Sequence, residues 1–285
     1  MRQDYELVKS LSGHSGCTVD LCKMADNFFI RKTAGVAGYN KRLKKQYIKQ
    51  LKFELSGVSV PKIYNHGSIS DVFYFDMEFV DGITLAEYMH KIKVKEIVDL
   101  MTVLFKALES CKTEICPKAK EIFRKKIASL RQTIDVKNSI ADKALSVLEK
   151  FDFGAIPMSA CCGDLTLENI ILSSGGKIYL IDLLDSFYNS WLIDVAKILQ
   201  DIDLGWSYRH IARDYNLNLR LEIAKQSLLE NILAMQNGRV VLRQIYHLLL
   251  LNILRIYPYA KDEDTLNFLN SSCLKVIDTI NKMEN

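Results

Sequence analysis

The stretch Cys162–Asp185, CGDLTLENIILSSGGKIYLIDLLD, carries three oxygen-bearing side chains at telling positions: Asp164, Asn169 after four intervening residues, and Asp182. Asp164 and Asn169 flank a turn that runs into the short apolar strand Ile170 to Leu172, and a second apolar run, Lys177 to Ile181, delivers Asp182 at its end. Gly175 and Gly176 between two β-prone runs are a hairpin signal, so Asn169 and Asp182 are expected to be neighbours. Two hard oxygen ligands side by side suit Mg²⁺, which is usually held by one or two carboxylates together with substrate phosphates. Any one of the three alone reads equally as a turn cap. Their joint spacing points to metal-assisted chemistry on a phosphate.

Around this stretch, 285 residues with 49% hydrophobic content are enough for two modest domains or one large one with a substantial core. The net charge of +4, from 38 basic and 34 acidic side chains, is too small and too dispersed to indicate nucleic acid, and it is compatible with a small anionic substrate. No apolar run reads as a membrane span, the longest lying around Leu248 to Leu251, and the N-terminal MRQDYELVKS lacks a signal-peptide core. A cytoplasmic protein is expected. Seven cysteines without metal-type pairing fit thiols in a reducing compartment.

The chain opens as an antiparallel meander, with strands at Glu6 to Leu11, Cys17 to Met24 and Phe28 to Lys32. Its first turn, Ser12-Gly13-His14-Ser15-Gly16, can lay backbone N–H groups over phosphates, since glycine permits close approach, but it reads as well as a plain hairpin turn. Lys41 to Leu55 is a basic amphipathic helix with Leu43, Tyr47, Leu51 and Leu55 on one face. Strands follow at Val58 to Tyr64, entered through Pro61, and at Val72 to Val80. After Gly82 the pattern turns almost wholly helical, which puts a boundary there: an N-terminal β-rich lobe over 1–80, a hinge about 77–82, and a helical lobe over 83–285 with a β insertion at 170–181. Helices are expected at 85–103 and 104–112, through the 117–148 region, and at 192–201, 209–214, 219–237, 238–256 and 264–283.

A β-rich lobe, then a helical lobe with D-x4-N and a later Asp, is the order of parts expected for phosphoryl transfer from a nucleotide. Through CGDLTLEN, LIDLLD and the later DVAK, the chain resembles the aminoglycoside phosphotransferase and choline kinase group, small-molecule kinases with the protein-kinase-like fold. The resemblance implies an α+β, bilobal fold with an antiparallel β-rich N-lobe and a mainly helical C-lobe. It makes Asp164 the catalytic aspartate that takes or orients the acceptor's hydroxyl proton, and Asn169 and Asp182 the Mg²⁺ holders on ATP or GTP. Ser12, Gly13, Ser15 and Gly16 then border the phosphates. Lys32 resembles the lysine that contacts the α and β phosphates, with Arg31 as a competing cation; if Ile30 faces inward, strand alternation favours Lys32.

The glutamate that should partner this lysine is replaced by Gln46, which can hydrogen-bond but brings no charge, unless Glu54 serves instead. Glu78 and Val80 resemble the hinge whose main chain meets adenine. Asp194 resembles the buried aspartate that braces the catalytic loop. Cys162 stands where the group usually has His, so a packing role survives while a hydrogen-bonded brace is lost. For the acceptor, Asp201, Asp203 and Trp206 suit a cationic or a hydroxyl-rich molecule. The run Asp185 to Asp201 tilts the reading toward a sugar or polyol of bacterial surface-glycan metabolism, beside amino alcohols and aminoglycosides. Gln46 and Cys162 keep a nucleotide-binding pseudokinase open as the alternative, whereas the short interval between Asp182 and Asp194 argues against a protein kinase.

Overall fold

The computed structural model describes residues 5–11, 16–134 and 138–284. In chain order the elements are β1 (Glu6–Leu11), β2 (Cys17–Met24), β3 (Asn27–Ala34), α1 (Asn40–Lys52), β4 (Ile63–Ile69), β5 (Val72–Glu78), β6 (Gly82–Thr84), α2 (Leu85–Tyr88), α3 (Val94–Glu109), α4 (Ala119–Thr133), α5 (Ser139–Lys150), β7 (Ile170–Ser173), β8 (Ile178–Leu180), α6 (Trp191–Ile202), α7 (Tyr215–Leu233), α8 (Gly238–Leu254) and α9 (Glu263–Glu284). By their internal contacts they form two units, one running to Ile83 and including Asn169–Asp185, the other comprising Thr84–Glu168 and Ser186–Asn285. The hairpin expected as an insertion in the helical half therefore packs with the β-rich unit.

That unit carries a five-stranded antiparallel sheet in the order β1-β2-β3-β5-β4 and a small sheet β6-β7-β8. One face of the larger sheet meets α1 over Cys17, Ala34, Leu43, Phe73 and Phe75. Of the row expected on α1, Leu43 and Tyr47 pack under the sheet while Leu51 is exposed and Leu55 lies beyond the helix; Gln46 and Gln50 are buried beside them. Gln50 earns its place by donating to the Pro61 carbonyl at 2.7 Å. The strand expected at Val58 to Tyr64 begins only at Ile63, because Pro61 has no N–H for a ladder. Ser59 instead bridges to β8, donating to Ile178 O and accepting from Leu180 N, both at 2.8 Å. β4 and β5 join through Ser70 and Asp71, both with positive φ, the pattern of a tight I′ hairpin turn.

In the helical unit α6 is buried along its whole length, and α8 packs against it. Gly238–Tyr259 is long and apolar enough to cross a membrane by length and composition, with mean hydropathy 1.3, a property that the shorter run at Leu248 to Leu251 did not reveal. Its apolar character is used inside the unit, where 72% of it is buried. No helix forms over 209–214; a short 3₁₀ turn covers Trp206–Tyr208, and Asp214 caps α7 by accepting from Leu217 N at 2.7 Å.

Candidate functional site

In the helical unit the chemistry gathers where α6 meets the loop 162–167. The loop turns through Gly163, whose φ of +90° is reserved largely for glycine. Its two amides at Cys162 and Gly163 donate to the carboxylate of Asp194 at 2.6 and 2.8 Å, and the Cys161 thiol lies 3.4 Å from the same group. Asp194 is fully buried, so these bonds replace its lost water. Seven residues further along α6, two helical turns, Asp201 accepts from Leu167 N at 2.6 Å and from Ser207 N at 2.7 Å. Between them Lys197 reaches Asp164, Nζ to Oδ1 at 3.0 Å. A single stripe of α6, Asp194, Lys197 and Asp201, thus pins the loop at Cys162, Gly163, Asp164 and Leu167. Asp194 braces the loop, as its place in DVAK suggested.

Asp201 and Asp203 are not free for a ligand. Burial pushes the Asp201 carboxyl up to about 6 against the two amide bonds that pull it down. A raised carboxyl acts on stability with a definite sign. Below about pH 4 folded and unfolded chains both hold the proton. Between about 4 and 6 only the folded chain holds it, so this contribution falls as pH rises through that window, by at most about 3 kcal/mol. Urea titrations at pH 4, 5 and 6 are expected to show this slope, and Asp201→Asn is expected to flatten it. Asp203 is buried between Lys275 (2.9 Å), Lys225 (3.4 Å) and the Tyr246 hydroxyl (3.4 Å). Trp206 is covered by Arg209, 3.9 Å above its ring, and by Phe268. These three side chains, expected at the acceptor, serve the helical unit's own packing.

In the β-rich unit the hairpin brings Asn169 and Asp182 together. Ile170 pairs with Leu180, and Ile181 N donates to Asn169 O at 2.9 Å, one residue before Asp182. Asp182 adopts a positive φ of 52°, uncommon outside glycine but tolerated by Asp. Its carboxylate, about one-third exposed, is ion-paired with the buried Lys32. Lys32 and Arg31 thus take opposite faces of β3, as strand alternation predicts. Arg31 points to the opposite face, where Asp76 of β5 takes it in a two-pronged pair, 2.7 and 2.9 Å, between the rings of Tyr5 and Tyr74, each 4.3 Å away. Asp76 raises the Arg31 guanidinium above its ordinary value.

The remaining candidates are placed as follows. Gln46 is buried on α1, and among the described residues neither amide atom has a hydrogen-bond partner. Glu54 lies exposed beyond the end of α1. Glu78 N–H is committed to Lys62 O at 2.8 Å, and its side chain accepts from Lys62 N and the Tyr179 hydroxyl, 3.1 and 3.2 Å away. Val80 lies just after β5, half-buried. Gly16 has φ +71°, and a Cβ there would sit 2.4 Å from the Tyr39 ring. Ser12, Gly13 and Ser15 lie outside the described residues. Asp185 meets Lys45 at 2.7 Å on the surface.

Lys197 was not singled out from the sequence. Its signal was a polar set, Asp194, Lys197, Gln200 and Asp201, spaced along one side of a mainly apolar helix. Among the described residues there is no group of three or more His, Cys, Asp and Glu suited to a metal. Asn169 and Asp182 nonetheless fit a cation shared with phosphates: two oxygen donors stand at one hairpin end, and the carboxylate already draws a cation, Lys32.

No curated protein sequence matches the chain. Among solved structures, aminoglycoside phosphotransferase APH(4)-Ia is similar, with TM-score 0.65 and 12% identity over 96% of this chain and 94% of that one. A thermostable mutant of that enzyme has been solved in ternary complex with ADP and hygromycin B; its TM-score is 0.63 at 14% identity, over 96% and 93% of the two chains. Plasmodium vivax ethanolamine kinase follows with TM-score 0.56 and 15% identity over 98% of this chain and 83% of that one. At such identities the likeness establishes the protein-kinase-like fold. The family assignment comes from the sequence itself, which matches the profile of the phosphotransferase enzyme family over residues 42–226. With more than half of its length matched, the chain belongs to the phosphotransferase enzyme family.

Proposed function

We propose that this phosphotransferase moves the γ-phosphate of ATP or GTP, with Mg²⁺, to a hydroxyl group of a small acceptor of the sugar or polyol kind. The observation that carries the reading is the pinned loop, in which one helix holds the backbone on both sides of Asp164 and its carboxylate is met by Lys197. Asp164 orients the acceptor hydroxyl and takes its proton as the oxygen attacks the γ-phosphorus and the nucleoside diphosphate leaves. Lys32 meets the α and β phosphates; Gly16 and its turn border them; the Glu78 carbonyl and the Val80 N–H meet the adenine edge. Asn169 and Asp182 hold the metal ion, which when bound neutralises charge on the phosphates.

Lys197 is a positioning residue in this scheme, since it acts through Asp164. Lys197→Met is expected to lower kcat by roughly 10–100-fold with KM for both substrates little changed, because a misplaced group costs rate more than binding. Lys197→Arg is expected to recover part of the loss. An equal loss of folding stability in both variants would indicate a merely structural lysine.

The scheme as a whole is tested by nucleotide consumption against a panel of sugars, polyols, choline, ethanolamine and aminoglycosides. Mg²⁺-dependent turnover that vanishes in Asp182→Ala supports it. Gln46, without a side-chain hydrogen-bond partner among the described residues, favours a second reading, nucleotide binding without turnover. That reading predicts Mg-nucleotide stabilisation of the fold with no acceptor phosphorylated.

A further inference from the structure

Within the β-rich unit, the segment that follows Asp182 has left the sheet. β8 ends at Leu180, and the last backbone tie before Asp182 is the bond from Ile181 N to Asn169 O at 2.9 Å. From Asp182 to Asp185 the chain makes no backbone–backbone hydrogen bond among the described residues. Asp182 nevertheless keeps its left-handed φ of 52°, which a residue other than glycine holds only where its surroundings impose it. The Leu183 side chain is buried, but apolar burial is non-directional and does not set how a peptide group is turned.

The directional hold comes from α1 of the same unit. Lys49, half-buried, donates from Nζ to the Leu184 carbonyl at 2.6 Å, and Lys45, one turn earlier, pairs with the Asp185 carboxylate at 2.7 Å. Residues four apart on a helix are neighbours, so two ammonium groups grip two successive residues of the segment. The Lys45 pair is exposed and contributes little alone, whereas a charged donor on a half-buried carbonyl is a strong hydrogen bond. Gln46 lies on the same turn and makes no side-chain hydrogen bond among the described residues. We propose that Lys49 is a positioning residue for the metal: by holding the Leu184 carbonyl it keeps the Asp182 carboxylate turned to the cation that the phosphates share. The proposal rests on the kinase reading for the metal and the nucleotide. It gives α1 a part in the site that needs no carboxylate at position 46. Charge alone predicts the opposite sign, since removing an ammonium near a cation site relieves repulsion and strengthens metal binding. Losing a positioning contact weakens it.

The test compares the full chain with Lys49→Met and Lys49→Arg. Calorimetry gives the affinity for a non-hydrolysable ATP analogue in saturating Mg²⁺ and in EDTA, and the ratio of the two is the gain that the metal supplies. Lys49→Met is expected to cut that gain by about ten-fold while the affinity in EDTA stays within about two-fold of the parent. Lys49→Arg, which can still donate to the carbonyl, is expected to keep most of the gain. Without nucleotide, amide hydrogen exchange over residues 181–185 is expected to quicken in Lys49→Met at unchanged thermal stability. A gain that is unchanged or raised, an equal loss with and without Mg²⁺, or exchange no faster than in the parent would each overturn the proposal. Failure of the kinase reading appears separately, as a parent chain that binds the analogue no better in Mg²⁺ than in EDTA, and the role at the metal then falls with it.

Discussion

Asp164→Asn is expected to lower kcat by about 10³-fold while Mg-nucleotide affinity stays within about two-fold of the parent. The substitution keeps size and shape but removes the acceptor for the hydroxyl proton. It also discards the charge that Lys197 meets at 3.0 Å. Asp194 and Asp201 hold the loop through the backbone of Cys162, Gly163 and Leu167, and these anchors remain in the variant. The loss should therefore appear in kcat and not in folding. Asp182→Ala should behave differently, losing metal-dependent nucleotide binding as well as turnover. Steady-state kinetics paired with nucleotide titrations separate the two. A kcat within ten-fold of the parent in Asp164→Asn would remove Asp164 from the proposed role.

Asp76→Ala should give the largest stability effect, a loss of about 3–5 kcal/mol, because the variant leaves the Arg31 guanidinium buried without its counter-charge. Both side chains are less than one-tenth exposed, and the tyrosine faces of Tyr5 and Tyr74 shield the guanidinium further. In thermal unfolding this corresponds to a fall of roughly 10 °C for a chain of this size. The pair need not contribute so much itself, since desolvating both ions offsets most of their attraction. The double variant Arg31→Met with Asp76→Leu should therefore recover most of the loss. A double variant as unstable as Asp76→Ala would show instead that the polar groups hold the register of β3 on β5.

Local patterns in the chain were readable where sequence alone settles them. The strands at Glu6–Leu11 and Cys17–Met24 follow from β-prone runs bounded by glycine, and the hairpin that joins Asn169 to Asp182 follows from its glycine pair. What stayed hidden depends on partners far away in sequence. Arg31 and Lys32 are adjacent cations, and only Asp76 and Asp182, 45 and 150 residues on, tell them apart. Asp201 and Asp203 looked like ligands for an acceptor because their own partners, Leu167 N, Lys225 and Lys275, carry no local mark. On α1 the apolar row was right at Leu43 and Tyr47 but wrong at Leu51, because the buried Gln46 and Gln50 are polar and periodicity counts only apolar side chains.

The hairpin's membership in the β-rich unit bears on how the chain can be cut. An N-terminal fragment ending at Ile83 would keep all five strands of the larger sheet yet lose β7 and β8. Ser59 would then lack both of its backbone partners, Lys32 its carboxylate and Lys45 the Asp185 it meets. Such a fragment leaves a buried ammonium without a counter-charge and is expected to be insoluble or molten when expressed alone. Supplying residues 169–185 as a tethered segment after Ile83 should restore it, which makes the β-rich unit a candidate for circular rearrangement but not for simple truncation.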